Sequence, residues 1–221
     1  MMAFNFKNLI YWLYPKHCPF CKTVISKNLV ICDNCNRSIK REINIRKILI
    51  EGFNKEVICI APFSYKDKIR TAICDYKFKG YLDYSDLFSK EISDVYIRYF
   101  KDIDFITSVP LHKNRQKERG FNQSEVLASK IGKIINVPHK ELLVKCKSNK
   151  VQHNLPKYER VENVKGVYAV ADKVEVYGKN ILLCDDIITT GNTLKECAKV
   201  LLKAGAKDVY CVTTASSNLE D

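Results

Sequence analysis

Nowhere in the 221-residue chain is there a long hydrophobic run. The longest, Leu9 to Tyr14, falls far short of the roughly 20 apolar residues that cross a bilayer, so no transmembrane helix is expected. The N-terminal stretch also lacks the apolar core and small-residue cleavage site of a secretory signal. Lys7 is followed only by a short patch ending at Pro15, and a cytoplasmic location is expected. There is no internal repeat and no low-complexity segment, which excludes repeat arrays and tethers. The length excludes a multi-domain machine and fits one large domain, or one ordinary domain with a small attachment. What is present suits a packed core: 46% of residues are hydrophobic and 28% charged, so general disorder has no support.

Charge is abundant and uneven. Against 37 basic side chains stand 25 acidic ones, a formal net charge of +12. Residues 1 to 60 carry 10 basic and 4 acidic groups and residues 101 to 160 carry 13 and 6, whereas residues 161 to 221 carry 7 and 9. A basic N-terminal segment and middle suit a polyanionic partner, either nucleic acid or a polyphosphate. Because 29 of the 37 basic residues are Lys and the chain is rich in Ile and Asn, the surplus equally suits a compositional habit of the source genome.

The ten cysteines form two populations. Cys18, Cys21, Cys32 and Cys35 read C-x2-C-x10-C-x2-C. Each pair sets two thiolates on one knuckle, and two knuckles close a tetrahedron around Zn²⁺. Four protein ligands leave no open coordination position, so the metal is expected to be structural. A module of this size buries little core of its own, and zinc supplies on the order of 10 kcal/mol to such folds. Cys59, Cys74, Cys146, Cys184, Cys197 and Cys211 stand singly in apolar or amphipathic stretches and are expected as small buried hydrophobes.

After Arg46 the pattern alternates between strand and helix. Val57–Phe63 is β-rich, Lys66–Phe78 has apolar residues at helical spacing, and Tyr84–Tyr99 reads as a second helix. Phe105–Val109 is a short strand stopped by Pro110. Asn122–Ile135 is a helix with Asn122 as cap and Glu125 three residues on. Leu142–Lys145 and Val167–Val170 are short strand candidates. Asn180–Cys184 reads as a strand covered on both faces, Leu194–Lys203 as a helix ended by Gly205, and Asp208–Thr213 as the next strand. Alternation of this kind gives an α/β fold with a doubly wound, mostly parallel sheet. The expected division is an N-terminal helix and four-cysteine zinc module over 1–46 and the α/β domain over 47–221.

Ligand chemistry in such sheets gathers at the carboxyl ends of strands. There the sequence runs from Cys184 into Asp185, Asp186, Ile187, Ile188, Thr189, Thr190, Gly191, Asn192 and Thr193, read as two carboxylates past the strand end, ahead of a threonine-rich loop and a helix. The hydroxyls, the glycine and the helix N-terminus suit a phosphate monoester. The two acids suit ribose hydroxyls or a Mg²⁺ shared with a polyphosphate. One ligand that uses both is a ribose 5-phosphate bearing pyrophosphate.

This segment resembles the phosphoribosyl pyrophosphate (PRPP) motif of type I phosphoribosyltransferases, and the whole chain resembles the ComF (ComFC) family of competence proteins. The likeness rests on four blocks: Cys-Pro-Phe-Cys at 18–21 with Cys-Asp-Asn-Cys at 32–35; Val-Pro-Leu-His-Lys at 109–113 leading to Arg-Gly-Phe-Asn-Gln-Ser-Glu at 119–125; Gln152–Leu155 with Arg160, Asn163 and Gly166; and the acidic, threonine-rich segment. It implies a sheet of the type I phosphoribosyltransferase type behind a zinc-bearing N-terminal module, and a role in natural transformation, where imported single-stranded DNA is handled. It further implies PRPP or a related ribose phosphate as ligand, Mg²⁺ accompanying PRPP, and single-stranded DNA and other competence proteins as partners. Asp185 and Asp186 would serve the ribose or Mg²⁺, and Thr189, Thr190, Gly191, Asn192 and Thr193 the 5′-phosphate.

Leu111, His112, Lys113 and Arg115 follow a strand end where such a domain places its pyrophosphate loop, and Lys117 and Arg119 add two cations. The cluster suits a diphosphate, a DNA backbone or a solvated lid. Phe121 is expected to anchor that segment or to stack on a base. Gln123 and Gln152 receive no role. Purine phosphoribosyltransferases commonly carry Asp at the third position after the acidic pair, whereas Thr189 stands here, which disfavours purine salvage. No catalytic residue and no acceptor is indicated, and transfer to an unidentified acceptor stands as the alternative to binding alone. Phe4–Tyr14 reads as a short amphipathic helix that packs on the zinc module or rests on a membrane surface.

Overall fold

The computed structural model describes residues 15–146, 166–172 and 174–217. The expected helix Phe4–Tyr14, together with Gln152–Leu155, Arg160 and Asn163, lies outside them.

A short helix, α1 (Asp33–Ser38), closes the cysteine module. The α/β part follows as β1 (Asn44–Ile50), β2 (Lys55–Ala61), β3 (Phe63–Ser64), α2 (Asp67–Phe78), α3 (Tyr84–Tyr99), β4 (Phe105–Ser108), α4 (Lys113–Arg119) and α5 (Gln123–Ile135). After these come β5 (Leu143–Lys145), β6 (Tyr168–Val170), β7 (Asn180–Ile188), α6 (Asn192–Lys203) and β8 (Asp208–Ser216). The main sheet runs β1-β2-β8-β7-β4, with β3 also on β8; all pairs are parallel except β1 with β2. β5 and β6 form a separate antiparallel ribbon.

Alternation along β7 sorts the core. Leu182 and Cys184 pack with α2, α3 and α5 on one face, while Ile181 and Leu183 pack with α6 and the β5–β6 ribbon on the other. All four are fully buried. A strand covered on both faces must be apolar at consecutive positions, which makes this segment legible from sequence. Each such side chain contributes about 1.5–3 kcal/mol of transfer free energy.

Two expectations about the site segments change. Asp185 and Asp186 lie within β7, not past its end, because pairing with β8 continues through Asp185↔Thr213 to Ile188↔Ser216. The loop shortens to Thr189, Thr190 and Gly191, and α6 starts at Asn192. Residues 113–119, expected as a basic loop, form α4: His112 caps it through Nδ1, which accepts from the Asn114 N–H at 3.3 Å. Gly120 ends it at φ +79°, in the left-handed region that glycine tolerates. β1, which has no counterpart in the sequence reading, starts at Asn44, ahead of the boundary drawn at residue 47. Of the six single cysteines, Cys59, Cys184, Cys197 and Cys211 are buried as expected, but Cys74 is half-buried and Cys146 exposed.

The cysteine module is docked on the α/β part rather than tethered to it. Ile25, Ile31 and Ile39 join the same apolar cluster as Ile69, Tyr84 and Phe88, and the Phe20 ring meets Tyr84 edge-on at 5.3 Å. Arg41 forks onto Glu91 of α3, Nε at 2.9 Å and Nη2 at 2.6 Å, and Glu91 is nearly buried. Asp86 of α3 is bridged by Lys16 of the module at 3.4 Å and by Lys130 of α5 at 2.5 Å.

Candidate functional site

The cysteine cluster comes together as the spacing requires. The four Sγ atoms of Cys18, Cys21, Cys32 and Cys35 lie within 4.8 Å of one another, with Cys21 and Cys32 at 3.5 Å. A tetrahedron with Zn–S bonds of about 2.3 Å has edges of about 3.8 Å, so the donor set fits a metal such as zinc. Cys32 sits at the N-cap of α1, where its sulfur accepts from the Cys35 N–H, and Lys22 takes the left-handed turn (φ +61°) that doubles the first knuckle back. Hydrogen bonding to Thr23 draws the Cys21 thiol down to about 6, while burial pushes Cys35 up to about 12. A bound cation would hold all four as thiolates.

The second site lies at the carboxyl edge of the sheet. Asp185 Oδ1 accepts from the Ser124 hydroxyl at 2.7 Å and from the Asp186 N–H at 2.8 Å. Asp186 Oδ1 is 2.8 Å from Lys77 Nζ, and both side chains are largely shielded, at 12% and 18% exposure. Burial, reinforced by the neighbouring charge of Asp186, pushes the Asp185 carboxyl up to about 7 against the opposing pull of Ser124 and Lys77. Ser124 and the Asp186 N–H both reach Asp185 through Oδ1, and Lys77 reaches Asp186 through Oδ1.

The segment 119–125 explains this geometry. Asn122 caps α5 by accepting from the Ser124 N–H and donates to the Val109 carbonyl at the end of β4. Gln123, fully buried, donates to the Lys77 carbonyl at 3.2 Å, while its own carbonyl accepts from Tyr76 Oη at 2.8 Å. Ser124 reaches Asp185. One short stretch therefore ties β4, α2 and β7 together. Phe121 is the anchor, packed 5.8 Å from the Tyr76 ring.

Cations surround the acids. Arg119 donates to Gln123 Oε1 at 3.1 Å, and burial lowers its pKa while the charge of Asp186 raises it. Lys145 of β5, opposite Tyr168 and 5.4 Å over its ring, is brought down to about 8 by burial and by repulsion from Arg115, with Asp185 opposing. Arg115 and Asp185 thus lie on the same side of the molecule, both within electrostatic reach of Lys145. Leu111 and His112 are half-buried between β4 and α4, and Lys113 is exposed on the first turn of α4.

The loop after β7 is short and held from behind. Gly191 turns at φ +80°, and α6 begins without a side-chain cap, so the positive end of a 12-residue helix faces the loop with no protein carboxylate in its first turn. Thr189, Thr190, Asn192 and Thr193 are half-buried around it. Arg46 of β1 donates to the Thr189 carbonyl and, at 2.6 Å, to the Ser217 carbonyl. Lys77, Ser124, Arg46 and Lys145 have no role in the sequence reading. Only Ser124 carries a signal there, as part of the 119–125 block.

The acids are also expected, from sequence, to serve a Mg²⁺. As placed they do not fit one: Asp186 already holds an ammonium, and Asp185 Oδ1 already accepts twice. The two acids lie within electrostatic reach of several cations, beside a helix N-terminus. That arrangement can hold hydroxyls next to phosphoryl groups.

Residues 120–220 match the phosphoribosyl transferase domain family. Competence protein ComFC of Bacillus subtilis is 30% identical over 189 residues, covering 85% of this chain and 72% of that protein. Competence protein F of Haemophilus influenzae is 35% identical over 106 residues, covering 47% of this chain and 46% of its own length. DNA utilization protein YhgH of Escherichia coli K12 is 33% identical over 112 residues, 49% of this chain and 48% of its own length. With a relative matched over most of both chains and the phosphoribosyl transferase signature on its C-terminal half, the chain belongs to the ComF family of competence proteins.

Proposed function

We propose that this protein binds PRPP or a related ribose phosphate at the carboxyl edge of its sheet and takes part in handling imported single-stranded DNA during natural transformation. The observation that carries the first part is the convergence of two adjacent acids and a Gly191-turned helix N-terminus on one edge. In this reading Asp185 and Asp186 accept from the sugar hydroxyls, and the 189–193 loop takes the 5′-phosphate. Leu111, His112, Lys113 and Arg115 face the diphosphate. Mg²⁺ travels on the diphosphate oxygens of PRPP rather than on the acids, and a structural zinc fills the four-cysteine cluster.

The DNA part is supported by relatives named for competence and DNA utilization, and by a surface that suits unpaired bases. Phe78 is 67% exposed beneath Arg119 at 5.0 Å, and Tyr81 is 43% exposed beneath Lys22 at 4.8 Å. Aromatic faces interleaved with cations hold single strands through stacking and backbone attraction.

Calorimetry with PRPP and Mg²⁺ on the zinc-loaded protein tests the pocket. Saturable binding that falls on Asp185→Asn supports the reading, and no heat at millimolar ligand removes it. Acceptor-dependent pyrophosphate release from labelled PRPP, abolished in the same variant, would instead favour a working transferase.

A further inference from the structure

We propose that Lys77 is the built-in counter-cation of the acidic pair, standing where a divalent metal would otherwise sit, so that the site takes its sugar phosphate without a metal bridge to the acids. The inference rests on the ribose-phosphate reading above and specifies how that site obtains its positive charge.

Three observations carry it. First, Lys77 and Asp186 make a 2.8 Å ion pair with both side chains shielded from water. Breaking such a pair strands a charge, so a metal binding at Oδ1 of Asp186 would have to displace the Lys77 ammonium within shielded surroundings. Second, Lys77 is not a swinging surface lysine. Its carbonyl is held by Gln123, the preceding Tyr76 is fully buried and bonded to the Gln123 carbonyl, and the following Phe78 lies beneath Arg119. The end of α2 is thereby bolted to the start of α5, and the ammonium is delivered from a fixed backbone. Third, the acids lie within the electrostatic reach of Arg119 and Lys145, and Arg115 stands close enough to repel Lys145, so an added divalent cation would enter a neighbourhood already rich in positive charge. A hard cation such as Mg²⁺ or Mn²⁺ needs several oxygen ligands with spare negative charge. Here the charge of Asp186 is already matched.

Two measurements decide it. Zinc-loaded protein in which the cysteine cluster is filled is titrated with Mn²⁺ and followed by loss of the free-ion paramagnetic signal. The native protein is expected to bind Mn²⁺ weakly, Lys77→Met to bind it about tenfold more tightly or better, Lys77→Arg to resemble the native protein, and Lys77→Met/Asp186→Asn to lose the gain. Tight Mn²⁺ binding by the native protein, or no gain in a folded Lys77→Met, overturns the proposal. Ribose 5-phosphate is then titrated into native protein in magnesium-free and magnesium-containing buffers. Equal affinity is expected, and a requirement for Mg²⁺ overturns the proposal even where the variants fail to fold. If ribose 5-phosphate and PRPP bind under neither condition, the ribose-phosphate reading falls, and the Mn²⁺ titration still decides the role of Lys77.

Discussion

Asp185→Asn is expected to stabilise the fold while weakening the site. The carboxyl is held between a donor pair, Ser124 and the Asp186 N–H, and a neighbouring carboxylate, in a position where burial alone already disfavours charge. Its pKa rises from 3.8 to about 7, so ionising it in the folded protein costs up to ~4 kcal/mol. Partial solvent access reduces the realised figure to roughly 1–2 kcal/mol. Asparagine keeps the acceptor oxygen for both donors and turns an amide toward Asp186. Between about pH 4 and 7 the folded state retains a proton that the unfolded chain has released. The stability this group confers is therefore complete below about 3.8 and disappears as pH rises through about 7. Urea or thermal unfolding of the two proteins should give nearly equal stabilities at about pH 4. At about pH 8 the variant should be ahead, by roughly 2–8 °C in Tm for a chain of this size. Ribose-phosphate affinity should fall tenfold or more, as expected when a charged acceptor becomes a neutral one. A variant that is less stable under the alkaline condition, or a gap that does not close on acidification, would refute the reasoning.

Arg46→Met removes the two hydrogen bonds that hold the Thr189 carbonyl and Ser217, and should weaken ribose-phosphate binding roughly tenfold, as measured by calorimetry, with Arg46→Lys recovering part of the loss. Stripping the four-cysteine cluster with a chelator should release one zinc per chain and sharply lower Tm, because module folding on the order of 10 kcal/mol is linked to the metal; an unchanged melting curve would mean the cluster is empty or dispensable. Binding of a labelled single-stranded oligonucleotide, followed by anisotropy, should weaken with salt. Phe78→Ala and Tyr81→Ala should each cost about 1–3 kcal/mol, while Lys113→Ala should flatten the salt slope; affinity indifferent to salt would count against a backbone-tracking mode.

Much of the frame is legible because local pattern and tertiary demand coincide. α3 is bounded by the same residues, Tyr84 and Tyr99, that its periodicity marks, and Asn122 caps α5 through its side chain. The acidic end of β7 misleads for a physical reason. Two adjacent carboxylates interrupt an apolar run, which looks like a strand ending, yet the ladder to β8 supplies partners for that backbone through Ile188. Cations at 113–119 likewise suggest a loop, although Lys, Asn, Arg, Gln and Glu between a His cap and a glycine stop form a turn or two of helix readily. Lys77 is illegible. One lysine on the last turn of an amphipathic helix carries no local mark, and its partner exists only after β7 has been laid beside α5.

β1 has a practical consequence for shortened versions of this protein. It follows the cysteine module directly, flanks the sheet by pairing with β2, and presents Arg46 to the backbone of the loop after β7. Trimming the chain at residue 47 to isolate the α/β part would discard Arg46 and leave half a flanking strand. A truncated protein that fails to bind would then report the loss of that brace, and not a ligand contact made by the cysteines.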